Sequence, residues 1–297
     1  MDLDQERADV VAELDPIEGP TRLVPVADDP VAHQRWCDRD LASLVEGSLG
    51  VVTDPLALDA PTRDRITARL PDHLRPSRAE RPFGTRLWIV DDSEEVGTLG
   101  IWPTIGRLLV PLASLYVDRP ARGRGAASRA LGVAQRAAEL AGFDGIRLET
   151  EWTWHLPARM YLRRGFWVLN WKHSLAFHRS ARLPAIELRV GDDEAACLLE
   201  GAEVVRAHRL GDRLGWARAS VPEALERHRF HAEATFALAL ALDGWPLVRS
   251  DEEWAKSRLE FDVGGPECLA RYIRAWEAHA CRHGLLNRAP AIPGVPG

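Results

Sequence analysis

Lysine is nearly missing. Lys172 and Lys256 are the only two in 297 residues, so arginine carries almost all the positive charge. That bias fits a GC-rich coding sequence and is given no functional weight. Cysteine is scarce as well: Cys37, Cys197, Cys268 and Cys281 are far apart, with no C-x-x-C pair. Neither a disulfide framework nor a zinc ribbon is suggested. No apolar run approaches the roughly 20 residues that cross a bilayer. The opening MDLDQERADVVAELDP is acidic where a secretory leader would be basic and then greasy. The expectation is a reduced, cytoplasmic protein with no membrane contact. An excess of positive charge is lacking too, since 38 basic residues face 44 acidic ones for a formal charge of −6. Nucleic acid and anionic lipid are therefore not expected as partners, while a local basic pocket stays open.

What is present reads as an ordinary globular chain, 46% hydrophobic and 28% charged, long enough for a full core and a sizeable appendage. Residues 1–20 read as an acidic N-terminal tail or a loosely docked helix. Thr21–Val26 is a short strand running into Asp28-Asp29-Pro30, where acidic residues and a proline suit a helix start. Val31, Trp36, Leu41 and Leu44 follow at helical spacing, and a second helix covers Thr62 to Leu70. Strands are expected at Thr85–Val90, Val96–Trp102 and Leu108–Val117. Asp91, Asp92, Glu94 and Glu95 read as a solvated hairpin turn between the first two. The period then changes from 2 to 3.6, with Ala127, Leu131, Ala134, Ala138 and Ala141 on one stripe closed by Gly142. Ile146, Leu148 and Thr150 alternate as a strand. A helix from about His155 to Arg164 stops at Gly165, then come strand-like FWVLNWKHSLAF and a last strand, Ala185–Val190.

The remainder divides into an accessory α+β region, residues 192–287, and a Pro/Gly tail, residues 288–297. Within it EAACLLEGAEVVRAH, PEALERHR and ECLARYIRAWEAHACRH look helical, whereas FALALALDGWPLV and RLEFDV look extended. His279, Cys281 and His283 cluster in sequence but do not share a helix face, so no metal is expected.

The most informative line is Leu115–Leu131, LYVDRPARGRGAASRAL. An apolar strand ends at Val117, a short loop holds Arg122-Gly123-Arg124-Gly125, and a helix begins at once. Such a turn aims unpaired backbone N–H groups at one point, where the helix dipole adds positive potential, so the place suits a phosphate or pyrophosphate. Small residues let ligand oxygens reach the backbone. The Walker pattern is absent, and the dinucleotide pattern fails at Ser128. A tight solvated loop is the plainer alternative.

Arg122–Ala127 (RGRGAA) resembles the R-x-x-G-x-[G/A] motif with which the GNAT family of N-acetyltransferases holds the pyrophosphate of acyl-CoA. Tyr161-Leu162-Arg163-Arg164-Gly165-Phe166 is similar to the same family's Y-x-x-x-G-F. The two motifs come in the family's order, with strand–helix–strand between them, and the resemblance covers about residues 21–191. It implies an α/β (α+β) GNAT-like fold, a mixed, twisted central sheet flanked by helices, with strands four and five splayed to receive the pantetheine arm. It further implies acetyl-CoA as acyl donor, a primary amine on a small molecule or peptide as acceptor, and direct attack in a ternary complex. Carried over by position, Leu115, Tyr116 and Val117 offer backbone groups to pantetheine. Arg122 opens the loop, and Gly123, Arg124, Gly125, Ala126 and Ala127 offer N–H groups to the pyrophosphate. An N–H near Tyr116 or Val117 would polarise the thioester carbonyl.

Tyr161 is the expected general acid, since a phenol can protonate the departing thiolate. The alternative is a ring packed in the core. Glu149 and Glu151 share one face of the fifth strand, either as a base toward the ammonium acceptor or, preferably, as an exposed polar face. Trp152 and Trp154 either line the acceptor pocket or, preferably, pack in the core. Trp154 and Pro157 depart from the Asn and Ala common in the family seven and four residues before the tyrosine. Two rival functions stand beside the enzyme: a non-catalytic acyl-CoA sensor, and an interaction protein working through residues 192–297. A homodimer is compatible with the sequence and unsupported by it.

Overall fold

The computed structural model describes residues 3–49, 58–70, 84–102, 108–150, 154–170, 175–211 and 213–245. They fall into two compact units, Met1–Glu149 with His178–Arg182, and Thr150–Phe177 with Leu183–Gly297.

The first unit opens with α1 (Leu3–Ala12), whose Val10 is fully buried, followed by a buried Leu14. Of the two readings of this segment, a tail or a docked helix, Leu3–Ala12 takes the helical one, and Val10 and Leu14 bury its apolar side. β1 (Thr21–Pro25) leads to α2 (Pro30–Leu49), where the Asp29 carboxylate accepts from the N–H groups of Val31 and Ala32 at 3.3 and 2.8 Å. That is the N-cap the Asp-Asp-Pro sequence announces. α3 (Ala60–Thr67) is capped in the same way by Asp59, which accepts from Thr62 N–H at 2.8 Å.

β2 (Thr85–Asp91) and β3 (Glu94–Ile101) form a hairpin across Asp92 and Ser93, both at positive φ (49° and 71°). Paired positive φ values match the right-handed twist of the flanking strands. β4 (Leu109–Val117) runs antiparallel to β3 and parallel to β5 (Gly145–Thr150), so β1 to β5 lie side by side in chain order with mixed polarity. α4 (Ala126–Leu140) packs on β1, β2 and β4 through Ala126, Ala130, Leu131, Ala134, Ala137 and Ala138. Alanine at nearly every core position brings this helix close to the sheet.

In the second unit α5 (His155–Arg163) precedes β6 (Trp167–Asn170), and β7 (Leu175–Ser180) ends in the first unit. β8 (Ile186–Val190), β9 (Glu194–Leu199), β10 (Ala202–Leu210) and β11 (Arg213–Arg218) form an antiparallel sheet in the order β11-β10-β9-β8. α6 (Glu223–Leu242) covers it, with Phe236, Leu240 and Cys197 fully buried in the shared core.

Two expectations fail here. Residues 194–210 are strands rather than a helix, because Glu200 (φ 48°) and Gly201 (φ 78°) make a two-residue turn that pairs Leu199 with Ala202. Residues 236–242 are helix rather than strand. α6 is buried on all sides from Ala232 to Leu240, so it has no polar face to display a helical period. The segments RLEFDV and ECLARYIRAWEAHACRH, with His279, Cys281 and His283, lie outside the described residues.

Candidate functional site at the β4–α4 turn

The chemistry-bearing turn lies within the first unit. β4 and β5 pair in parallel from Leu109↔Gly145 to Leu112↔Leu148, and the register stops there although both strands continue. On its other side β4 stays paired with β3, through Thr98↔Tyr116 and Gly97↔Val117, across a register shift. Ser114 sits at that shift with φ 54°, and its carbonyl accepts from Thr98 Oγ1 at 3.0 Å. A bulge of this kind bends one strand and ends pairing with a neighbour.

The last residues of β4 therefore carry an edge unpaired with β5. Asp118 N–H donates to Val96 O at 2.8 Å, and the Tyr116 carbonyl lies so close to Gly97 that a Cβ there would sit 2.1 Å from its oxygen. Tyr116 and Asp118 thus turn their backbone groups toward β3. By the alternation of a strand, Leu115 and Val117 turn theirs to the open edge.

Beyond Val117 the chain makes one 3₁₀ turn, Arg119–Ala121, and then reaches Gly123 (φ 78°) and Gly125 (φ 84°). Both glycines hold left-handed backbone that other residues adopt at a cost. Gly125 is the N-cap of α4 and has no side chain to accept from the first-turn N–H groups. Those groups, flanked by buried Ala126 and half-buried Ala127, can take an anion. The Arg124 side chain is exposed beside them. A diphosphate fits this donor set: backbone N–H groups, a helix N-terminus, no carboxylate within the turn, and open space where a Gly123 Cβ would stand.

Arg122 does something else. Its Nη1 and Nη2 grip the two oxygens of Glu46 on α2 at 2.6 and 2.7 Å, its Nε donates to Val117 O at 2.9 Å, and its guanidinium lies 5.3 Å from the Tyr116 ring centre. The guanidinium holds the Glu46 carboxyl below its ordinary range, and burial pushes the Tyr116 phenol up. Two turns earlier on α2, Arg39 forks Asp118 at 2.9 to 3.1 Å and reaches Glu95 at 3.3 Å, while Glu95 also pairs with Arg35. Glu95 is thus engaged, and Asp91 is buried. Asp91 accepts from Arg129 Nη2 at 2.8 and 2.9 Å and from the Thr21 hydroxyl, which corrects the reading of these acids as a merely solvated turn.

Sequence reasoning missed Arg39, Glu46, Asp118 and Arg129. The available signal was the seven-residue spacing of Arg39 and Glu46, which places both on one face of α2.

In the second unit Tyr161 is buried, with its ring 5.7 Å from Phe166 and 5.5 Å from Phe177. Gly165 (φ 76°) ends α5 and Phe166 N–H donates to Tyr161 O at 3.1 Å, so the Y-x-x-x-G-F segment forms a helix stop. Burial drives the Tyr161 phenol well above its usual value, so it stays protonated at neutral pH. Trp154 precedes α5, half-buried, with its indole N–H buried and unpaired among the described residues. Glu149 is exposed near the end of β5, and Glu151 and Trp152 lie outside the described residues. Among the described residues no group of three His, Cys, Asp or Glu is placed to hold a metal, and no helix is long and apolar enough to cross a membrane.

Residues 56–166 match the family described as Acetyltransferase (GNAT) family. No curated protein matches the chain. Among solved structures, a GNAT-family acetyltransferase from Staphylococcus aureus is similar at 12% identity, over 55% of this chain and 99% of that one, with a TM-score of 0.38. A Salmonella typhimurium acetyltransferase that modifies the N-terminal serine of a 50S ribosomal subunit protein is similar at 15% identity, over 56% and 97%, with a TM-score of 0.37. The GNAT domain of an S. lividans protein gives 14% identity over 54% and 89%, with a TM-score of 0.36. Likenesses this distant add no weight to the family match.

Proposed function

From a chain that carries a GNAT-family domain over residues 56–166, we propose an N-acetyltransferase that moves an acetyl group from acetyl-CoA to a primary amine by direct attack in a ternary complex. The observation that carries this reading is the β4–α4 turn, where two left-handed glycines lead into a helix start that has no side-chain cap. The donor's diphosphate accepts from the N–H groups of Gly123 to Ala127, with the exposed Arg124 adding charge. Arg122 serves as a strut from α2 rather than as a phosphate ligand.

The pantetheine amides run along the open edge of β4, hydrogen-bonded to Leu115 and Val117, with Tyr116 turned away. The Val117 N–H is the donor best aimed to polarise the thioester carbonyl and to hold the tetrahedral oxyanion. A neutral amine attacks the carbonyl carbon, the C–N bond forms and the C–S bond breaks. The sulfur takes a proton from Tyr161, assigned to this role by the resemblance, and the proton released by the nitrogen returns through solvent to the Tyr161 phenolate, so the step closes without net change on the protein. Glu149 and Glu151 are the candidates for removing a proton from an ammonium acceptor. The acceptor is a small-molecule or peptide amine. Cys197 is buried with its thiol pushed up, which makes it a poor nucleophile for a covalent acyl-enzyme.

The test is an amine panel with acetyl-CoA, followed by thiol release. Turnover with at least one amine class supports the enzyme. Tight CoA binding without turnover across the panel would make the protein an acyl-CoA sensor instead.

A further inference from the structure

Arg129 lies one turn into α4, and its guanidinium makes four hydrogen bonds. Nε donates to Thr21 Oγ1 at 2.7 Å, Nη2 donates to both Asp91 oxygens at 2.9 and 2.8 Å, and Nη1 donates to the Arg124 carbonyl at 2.7 Å. Thr21 and Asp91 face each other in the β1–β2 register, and the Thr21 hydroxyl donates to Asp91. Three of the four contacts thus fix the guanidinium to a paired strand edge. The fourth reaches the glycine turn.

That fourth contact decides an orientation. In a trans peptide the C=O of one residue and the N–H of the next point in opposite directions. Holding the Arg124 carbonyl toward Arg129 therefore turns the Gly125 N–H away from Arg129, toward the space at the start of α4. The residue after this peptide is glycine, which populates both signs of φ, so the peptide could flip at little steric cost if nothing held it. A flipped peptide would present a carbonyl oxygen, with its negative partial charge, to an incoming phosphate.

We propose that Arg129 is a positioning residue that latches the Arg124–Gly125 peptide to the Thr21–Asp91 strand edge, keeping the Gly125 N–H aimed at the donor's diphosphate without touching it. The inference rests on the acyl-CoA reading of the turn. It assigns to a side chain inside the helix a function that the turn's own residues do not explain. Asp91 and Thr21 act through Arg129, as the anchor of the latch.

The test uses the full-length, ¹⁵N-labelled protein without ligand, then CoA, inorganic pyrophosphate and pantetheine, which lacks the diphosphate. In the wild type the Gly125 amide gives one resonance. Arg129→Met, similar in length but without donors, is expected to broaden or double that resonance while the Leu131 and Ala134 amides stay in place. CoA affinity should fall about ten-fold with pantetheine affinity unchanged, the loss expected for one charge-assisted hydrogen-bond arrangement. Arg129→Lys, which keeps a donor, should recover part of the CoA affinity. A single, unmoved Gly125 resonance with an unchanged CoA-to-pantetheine ratio in Arg129→Met overturns the latch. If Arg129→Met does not fold, Arg129→Lys and Asp91→Asn carry the same two readouts. A wild type that binds neither CoA nor pyrophosphate overturns the acyl-CoA reading, and a doubled Gly125 resonance in the variant would still uphold the latch.

Discussion

Glu46 grips both terminal nitrogens of Arg122, at 2.6 and 2.7 Å, and so braces α2 against the residue that opens the glycine turn. The same nitrogens would otherwise be free for a phosphate. The pair is partly exposed, at 37% for Arg122 and 29% for Glu46, which limits its worth to about 1 kcal/mol or less. Glu46→Gln is accordingly expected to lower the unfolding free energy by that small amount. Reversing both charges, Glu46→Arg with Arg122→Glu, should restore it if the contact is a strut. Restored stability in the swap, with CoA affinity within about three-fold of wild type, is the expected outcome in denaturant melts and calorimetry. A large loss of CoA affinity in the swap would show that Arg122 does contact the diphosphate.

The acid limb of stability follows from two of these contacts. Asp91 titrates below its ordinary 3.8 because it accepts first from Arg129 and then from Thr21. Glu46 titrates below 4.5 because it accepts from Arg122, with burial opposing. A carboxyl whose folded-state value is depressed contributes stability that is complete above its unfolded value and is lost as pH falls through the folded value. Wild-type stability should therefore drop progressively as pH falls below about 5, and the drop should be shallower in Asp91→Asn with Glu46→Gln. Identical slopes in the two proteins, by urea melts across that range, would place the acid sensitivity elsewhere.

The glycine turn was legible in the sequence because its chemistry is local: Arg122 to Ala127 are contiguous, and left-handed glycines before a helix need no distant partner to be recognised. The contacts that hold the turn were not. Arg129 meets Asp91 and Thr21 across 38 and 108 residues, and Arg39 meets Asp118 across 79. Such pairings depend on strand register, which alternation alone does not specify between elements. Asp91 looked like one more acid in a polar turn, and only its pairing opposite Thr21 shows it facing inward. The errors at residues 194–210 and 236–242 have different origins. In the first, the Glu200–Gly201 turn that splits the segment into two strands was not recognised. In the second, α6 is buried on all sides from Ala232 to Leu240, so the polar positions that mark a period of 3.6 disappear.

Substitutions at the two glycines separate backbone strain from crowding. Gly123 (φ 78°) has open space where a Cβ would stand, whereas at Gly125 (φ 84°) a Cβ would lie 3.0 Å from Arg129 Nη1. Gly123→Ala should cost about 1 kcal/mol of strain and little else. Gly125→Ala should cost the same strain and also press on the Arg129 contact to the Arg124 carbonyl, so CoA affinity should fall further than in Gly123→Ala. Binding isotherms for both variants check the order, and equal losses would remove Arg129 from the account.

Tyr161→Phe tests the acid while leaving the packing in place. The ring meets Phe166 and Phe177 by its faces and edges, which phenylalanine reproduces, so the thermal midpoint should move little. General acid assistance is worth about 100-fold or more, so kcat should fall by that order with acetyl-CoA KM nearly unchanged. Because burial raises the phenol's pKa, the wild type should show no loss of activity from Tyr161 ionisation up to about pH 10, the ordinary tyrosine value. The decisive comparison is with a thioester whose thiol is a better leaving group. A sulfur that departs readily needs no proton, so the Phe variant should recover most of its rate on that substrate. Equal deficits on both thioesters would mean that the hydroxyl supports the site without donating to sulfur.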